Sequence, residues 1–67
     1  MTLRERLHAC DLIAGTWVKT PHSHVVEVLA LSPLDLIVLD AEHAPFDRAS
    51  LDLCIMAARA GGKPVFV

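Results

Sequence analysis

The stretch LDLIVLDAEHAPFD, Leu34 to Asp47, decides how this chain is read. Leu36 to Leu39 is a short, β-branched apolar run of the kind that forms a strand covered on both faces. It ends abruptly on Asp40, Glu42 and His43, and Pro45 stiffens the loop that presents them. Side chains alternate along a strand, so Leu36, Val38 and Asp40 share one face and Ile37 and Leu39 the other. Asp40 therefore closes an otherwise apolar face at the carboxyl end of the strand.

Reading outward from this strand gives its neighbours. On the amino side, Ser32-Pro33 ends a helix, because the residue before proline avoids helical backbone angles. That helix is expected to have Thr20 as N-cap and Pro21 as its first residue, to reach about Leu31, and to bury Val25, Val28 and Leu29. Before it, LIAGTWVK (Leu12–Lys19) reads as a strand, and Thr2 caps a short helix with Leu3, Leu7 and Cys10 on one side. On the carboxyl side, Asp47 is the expected N-cap of RASLDLCIMAARA, where Leu51, Cys54, Ile55 and Ala58 repeat at i, i+3, i+4 and i+7. Gly61-Gly62 stops that helix, and KPVFV starts a third strand. The order α-β-α-β-α-β with short connections predicts an α/β fold with a parallel sheet and crossover helices. Residues 1–67 form one unit, expected to be cut within its third strand.

Composition agrees with an excerpt from a large α/β interior: 54% of the 67 residues are apolar and only 21% charged. Single cores of this size are marginal. Cys10 and Cys54 read as small buried hydrophobes of a reduced compartment rather than a disulfide pair. Six scattered Lys and Arg with a net charge of −2 leave no basic stripe for nucleic acid. No apolar run suits a secretory signal or a membrane span, so a cytoplasmic address is expected.

In parallel α/β folds the carboxyl ends of the strands carry the chemistry. Two readings of Asp40, Glu42 and His43 stand at this point. In one, the carboxylates accept from loop amides and the imidazole faces solvent. In the other, a carboxylate fixes the tautomer of an imidazole that works as a general base. The spacing matches no standard zinc motif. Lys19 follows the first strand on the same side, whereas Lys63 enters the third strand at its amino end. His22 and His24, at i and i+2, do not share a helix face and suit capping or surface roles.

Three features together resemble the N-terminal part of the HpcH/HpaI aldolase/citrate lyase family, the metal-dependent class II pyruvate aldolases. They are the Gly-x-Trp strand at Gly15–Trp17, the helix region around Glu27, and D-x-E-H-A-P at Asp40–Pro45. The likeness runs from about Leu12 to Val67. It implies the first three βα units of a (β/α)₈ TIM barrel, which takes about 250 residues. It also implies reversible aldol cleavage of a 4-hydroxy-2-keto acid to pyruvate and an aldehyde, in settings such as aromatic-compound catabolism. The family's histidine base falls on His43 and its aspartate partner on Asp40. Trp17 and Glu42 fall in the substrate pocket, Glu42 holding the loop or ordered water. A divalent cation (Mg²⁺, Mn²⁺ or Co²⁺) stabilises the enolate, and its ligands lie outside this chain, so no metal ligand is assigned here. The intact enzyme is expected to be a homo-oligomer, commonly a hexamer, while residues 1–67 alone are expected to be inactive. KTPHSH (Lys19–His24) departs from the family's Gly- or Ser-rich first loop. Two alternatives remain open: a non-enzymatic barrel piece that persists by association, and an acyl-CoA lyase of the citrate lyase β type.

Overall fold

A computed structural model describes residues 2–67. Along them α1 (Leu3–His8), β1 (Gly15–Val18), α2 (Ser23–Ala30), β2 (Leu36–Leu39), α3 (Arg48–Ala60) and β3 (Val65–Phe66) alternate. The strands form one parallel sheet in the order β1-β2-β3. This is the predicted architecture, and α3 has its predicted bounds. Thr16, Val18, Ile37, Leu39 and Val65 form the face of the sheet toward the helices. There Ile37, Leu39, Val26, Cys54 and Ala58 are almost completely buried, with Leu29, Leu51 and Ile55 packed around them.

The other face of the sheet is bare. Trp17 pairs with Val38, which pairs with Phe66, and Trp17 and Phe66 are 68% and 50% exposed. The accessible surface is 4673 Å², against about 4,200 Å² for a compact monomer of this mass. A barrel turns this face inward, which explains why a chain so apolar shows it.

Several local expectations need correction. The N-cap of α2 is His22, whose Nδ1 accepts from the His24 amide at 3.2 Å; Thr20 and Pro21 precede the helix. The residues α2 buries are Val26 and Ala30, while Val25 and Val28 are exposed and Leu29 is half-buried. Every position from Val25 to Leu31 except Glu27 is apolar, so periodicity could not choose the face; packing on α3 and the sheet does. None of the residues of α1 is buried. Cys10 lies beyond the end of α1 and is exposed, whereas Cys54 is buried as expected; both thiols are free. Burial pushes the Cys54 thiol up in pKa.

The helix ends follow elementary rules. Thr2 with Glu5, and Asp47 with Ser50, form reciprocal capping boxes. At the far ends, α1 and α3 share one C-terminal motif. The Gly62 amide donates to the Arg59 carbonyl and the Lys63 amide to that of Ala58. The Cys10 amide likewise donates to the Leu7 carbonyl and the Asp11 amide to that of Arg6. This motif needs a left-handed residue, which is Gly62 (φ 74°) in α3 but Cys10 (φ 58°) in α1. A side chain there costs about 1–2 kcal/mol, part of which glycine loses again to unfolded-state entropy. Cys10→Gly should thus stabilise the fold by about 0.5–1 kcal/mol, read as a higher midpoint in denaturant.

A clasp that the sequence does not reveal ties α1 to the amino ends of the strands. The Arg6 guanidinium donates to Asp35 Oδ1 at 2.6 Å and to the Leu12 carbonyl at 3.0 Å. The Ala14 amide donates to Asp35 Oδ2 at 2.9 Å, and Asp11 lies 3.6 Å from Arg6 Nε. Arg6 and then the Ala14 amide hold the Asp35 carboxyl below its ordinary range. A carboxyl depressed on folding contributes stability above its unfolded pKa of about 3.9. That contribution is lost as pH falls through the lower folded value. Protection of the Ala14 amide against hydrogen exchange should therefore persist in mild acid and fade below it. Asp35→Asn should remove this pH dependence.

Candidate active site

Strand β2 delivers Asp40 to the carboxyl edge of the sheet, where its amide still donates to the Val18 carbonyl at 3.0 Å. The ladder thus carries on one residue past β2 and fixes Asp40 before the chain turns. Asp40 is 6% exposed, the one buried charged residue of the described chain. Its Oδ1 accepts from the His43 amide at 3.0 Å and lies 3.3 Å from His43 Nδ1. The carboxylate thus bonds a loop amide, as the first reading expects, and also lies beside the imidazole. The amide hydrogen bond from His43 is the main cause that holds the Asp40 carboxyl below its ordinary range, against the opposing effect of burial.

The His43 side chain is 68% exposed, so Asp40 anchors a ring that solvent reaches freely. His43 Nδ1 is the ring nitrogen nearer the carboxylate; a proton held there would leave Nε2 as the acceptor that a general base requires. Below this corner lies an open concavity of about 640 Å³ on the bare sheet face, lined by Trp17, Val38, Asp40, Glu42, Phe66 and neighbouring backbone. Of the predicted residues, Asp40, Glu42 and Trp17 line this concavity together; His43 is not among its lining residues and is held beside Asp40 by the hydrogen bond of its amide. Glu42 is exposed. Sequence reasoning does not single out Phe66; alternation along KPVFV puts it on this face, but only the register with Val38 brings it beside Trp17.

Lys63 lines a second concavity at the opposite, amino end of the sheet, with Arg6 and Asp35. It lies away from the Asp40 corner, as its place before β3 predicts. The rings of His22 and His24 meet at a tilt of 53° with centroids 4.7 Å apart.

The donor set can be tested against a metal. Among the described residues no three His, Cys, Asp or Glu side chains gather around one point. Asp40 Oδ1 is engaged by His43, and Glu42 is exposed. These residues do not fit a metal centre by themselves.

No protein-family model matches the chain. A hydroxypyruvate/pyruvate aldolase of Roseovarius nubinhibens is 34% identical to it over 58 residues, 87% of this chain. The crystal structure of a citrate synthase variant, SbnG, superimposes on 96% of the chain with a TM-score of 0.86 at 31% identity. Both matches, each partial, agree with the resemblance to the HpcH/HpaI aldolase/citrate lyase family. The chain spans 23% of the length of that aldolase and 28% of that synthase. In the HpcH/HpaI-type frame the three strands are part of a TIM-barrel sheet, and the Asp40 corner occupies the face on which such barrels carry their chemistry. No helix among the described residues is long and apolar enough to cross a membrane.

Proposed function

We propose that the full-length protein carrying this chain is a carbon–carbon lyase that cleaves a 4-hydroxy-2-keto acid to pyruvate and an aldehyde. The observation that carries the reading is the Asp40–His43 pair, an exposed imidazole 3.3 Å from a buried carboxylate that itself lines an open concavity. The likeness to a hydroxypyruvate/pyruvate aldolase supports it.

In this reaction neutral His43 takes the proton of the 4-hydroxyl at Nε2. The C4–O bond becomes a carbonyl, the bond between C3 and C4 breaks, and its electron pair passes to the enolate of pyruvate. The enolate then takes a proton at C3. Asp40 holds the ring and offsets the positive charge it acquires, as the aspartate of a catalytic triad does. Trp17 bounds the apolar side of the site, and Glu42 sits at its polar edge. Any divalent cation used here takes its ligands from outside this chain.

The test is pyruvate release from 4-hydroxy-2-keto acids, together with exchange of the methyl hydrogens of pyruvate in deuterated water. Both are expected of the full-length protein. Absence of both would overturn the proposal. A second reading, condensation toward citrate, draws on the SbnG likeness; citrate formation without aldol cleavage would select it.

A further inference from the structure

Two of the three aromatic side chains of this chain, Trp17 and Phe66, stand on the bare sheet face on either side of Val38. Both line the concavity that ends at Asp40. Neighbouring strands lie about 4.8 Å apart, so the backbones of β1 and β3 are separated by roughly 10 Å at this level. Rings projecting from both border the apolar part of this concavity, a slot above Val38. Asp40 lies two residues beyond Val38 on the same face, roughly 7 Å along the strand. A group reacting beside the Asp40–His43 corner therefore directs its neighbouring substituent into this slot.

We infer that Phe66 is a specificity-determining residue, the wall opposite Trp17 that restricts the 2-keto acid to a small substituent at C3. This rests on the reading of the site as a 2-keto acid lyase. The slot is closed on one side by Trp17, on the floor by Val38 and on the other side by Phe66. Pyruvate places only hydrogen there. A 2-keto acid lengthened by one or two carbons must press against a ring. One methylene in an apolar pocket changes discrimination by about 10- to 200-fold, so one wall suffices to set the preference.

The experiment compares exchange of the C3 hydrogens of pyruvate and of 2-oxopentanoate in deuterated water by full-length wild type, Phe66→Ala and Phe66→Leu. Wild type is expected to favour pyruvate. In Phe66→Ala the ratio of kcat/KM for 2-oxopentanoate over pyruvate should rise about 10- to 100-fold, while exchange of pyruvate continues. Phe66→Leu, which keeps an apolar side chain of intermediate size, should raise the ratio less and decides the matter should the alanine variant not fold. A ring that merely packs the barrel would alter thermal stability and leave the ratio alone. An unchanged ratio in an active protein overturns the role of Phe66 only. A wild type that exchanges neither acid overturns the underlying reading as well.

Discussion

Full-length protein carrying His43→Ala is expected to lose aldol cleavage by about 10²- to 10⁴-fold in kcat, the usual contribution of a positioned general base. The structure explains why the loss should be confined to the chemistry. The side chain of His43 is largely in solvent, and the hydrogen bond that fixes its loop is donated by its backbone amide to Asp40. Alanine keeps that amide. Thermal unfolding of the variant should therefore match wild type, and an unchanged turnover would end the assignment. Asp40→Asn tests the other half. Its amide oxygen can still accept from the His43 backbone, so the loop is kept while the charge facing Nδ1 disappears. We expect a loss of turnover of about 10²- to 10⁴-fold, with substrate KM little changed.

The second large effect concerns the contact of α2 with α3. A Cβ on Gly61 would stand 2.4 Å from Ala30 Cβ and 3.3 Å from the Ala30 carbonyl oxygen. The backbone of Gly61 itself is ordinary (φ −85°), so the cost of Gly61→Ala is one of space alone. Neither atom it meets is the end of a flexible side chain. The end of α3 must move off α2, disturbing the layer that holds Val26, Cys54 and Ala58. Overpacking of this kind costs about 1–3 kcal/mol. The same atom can be removed from the other side: Ala30→Gly in the Gly61→Ala background should restore part of the loss. A double-mutant cycle by denaturant unfolding would show a coupling of opposite sign to the single costs. Strictly additive costs would mean that the two helices do not meet as described.

How much of the molecule is legible in its sequence depends on how local each signal is. The bounds of α3 are legible because Asp47, Ser50 and the Gly61-Gly62 pair announce its ends within a few residues. The parallel sheet follows from alternation, since short connections leave few other topologies. The cap and the buried face of α2 are not legible: an imidazole replaces the expected hydroxyl cap, and a nearly continuous apolar run carries no stripe to read. Cys10 reads as a core residue because the left-handed stop after His8 lacks the glycine that would mark it. In the candidate site, Asp40 and His43 can be paired from the sequence because they lie three residues apart. Arg6 with Asp35, and Trp17 with Phe66, cannot, because 29 and 49 positions separate them and only the folded register brings them together.

The corner formed by Asp40 and His43 is built from four consecutive residues at a strand end, and from farther off in the sequence it takes the ladder bond of the Asp40 amide to the Val18 carbonyl. It is in that sense portable: a barrel can keep it unchanged while the loops beside it are rewritten. The matches to an aldolase and to a citrate synthase variant extend over 87% and 96% of this chain. Selection for a new carbon skeleton would then act on the walls and the distant loops, and leave this corner in place.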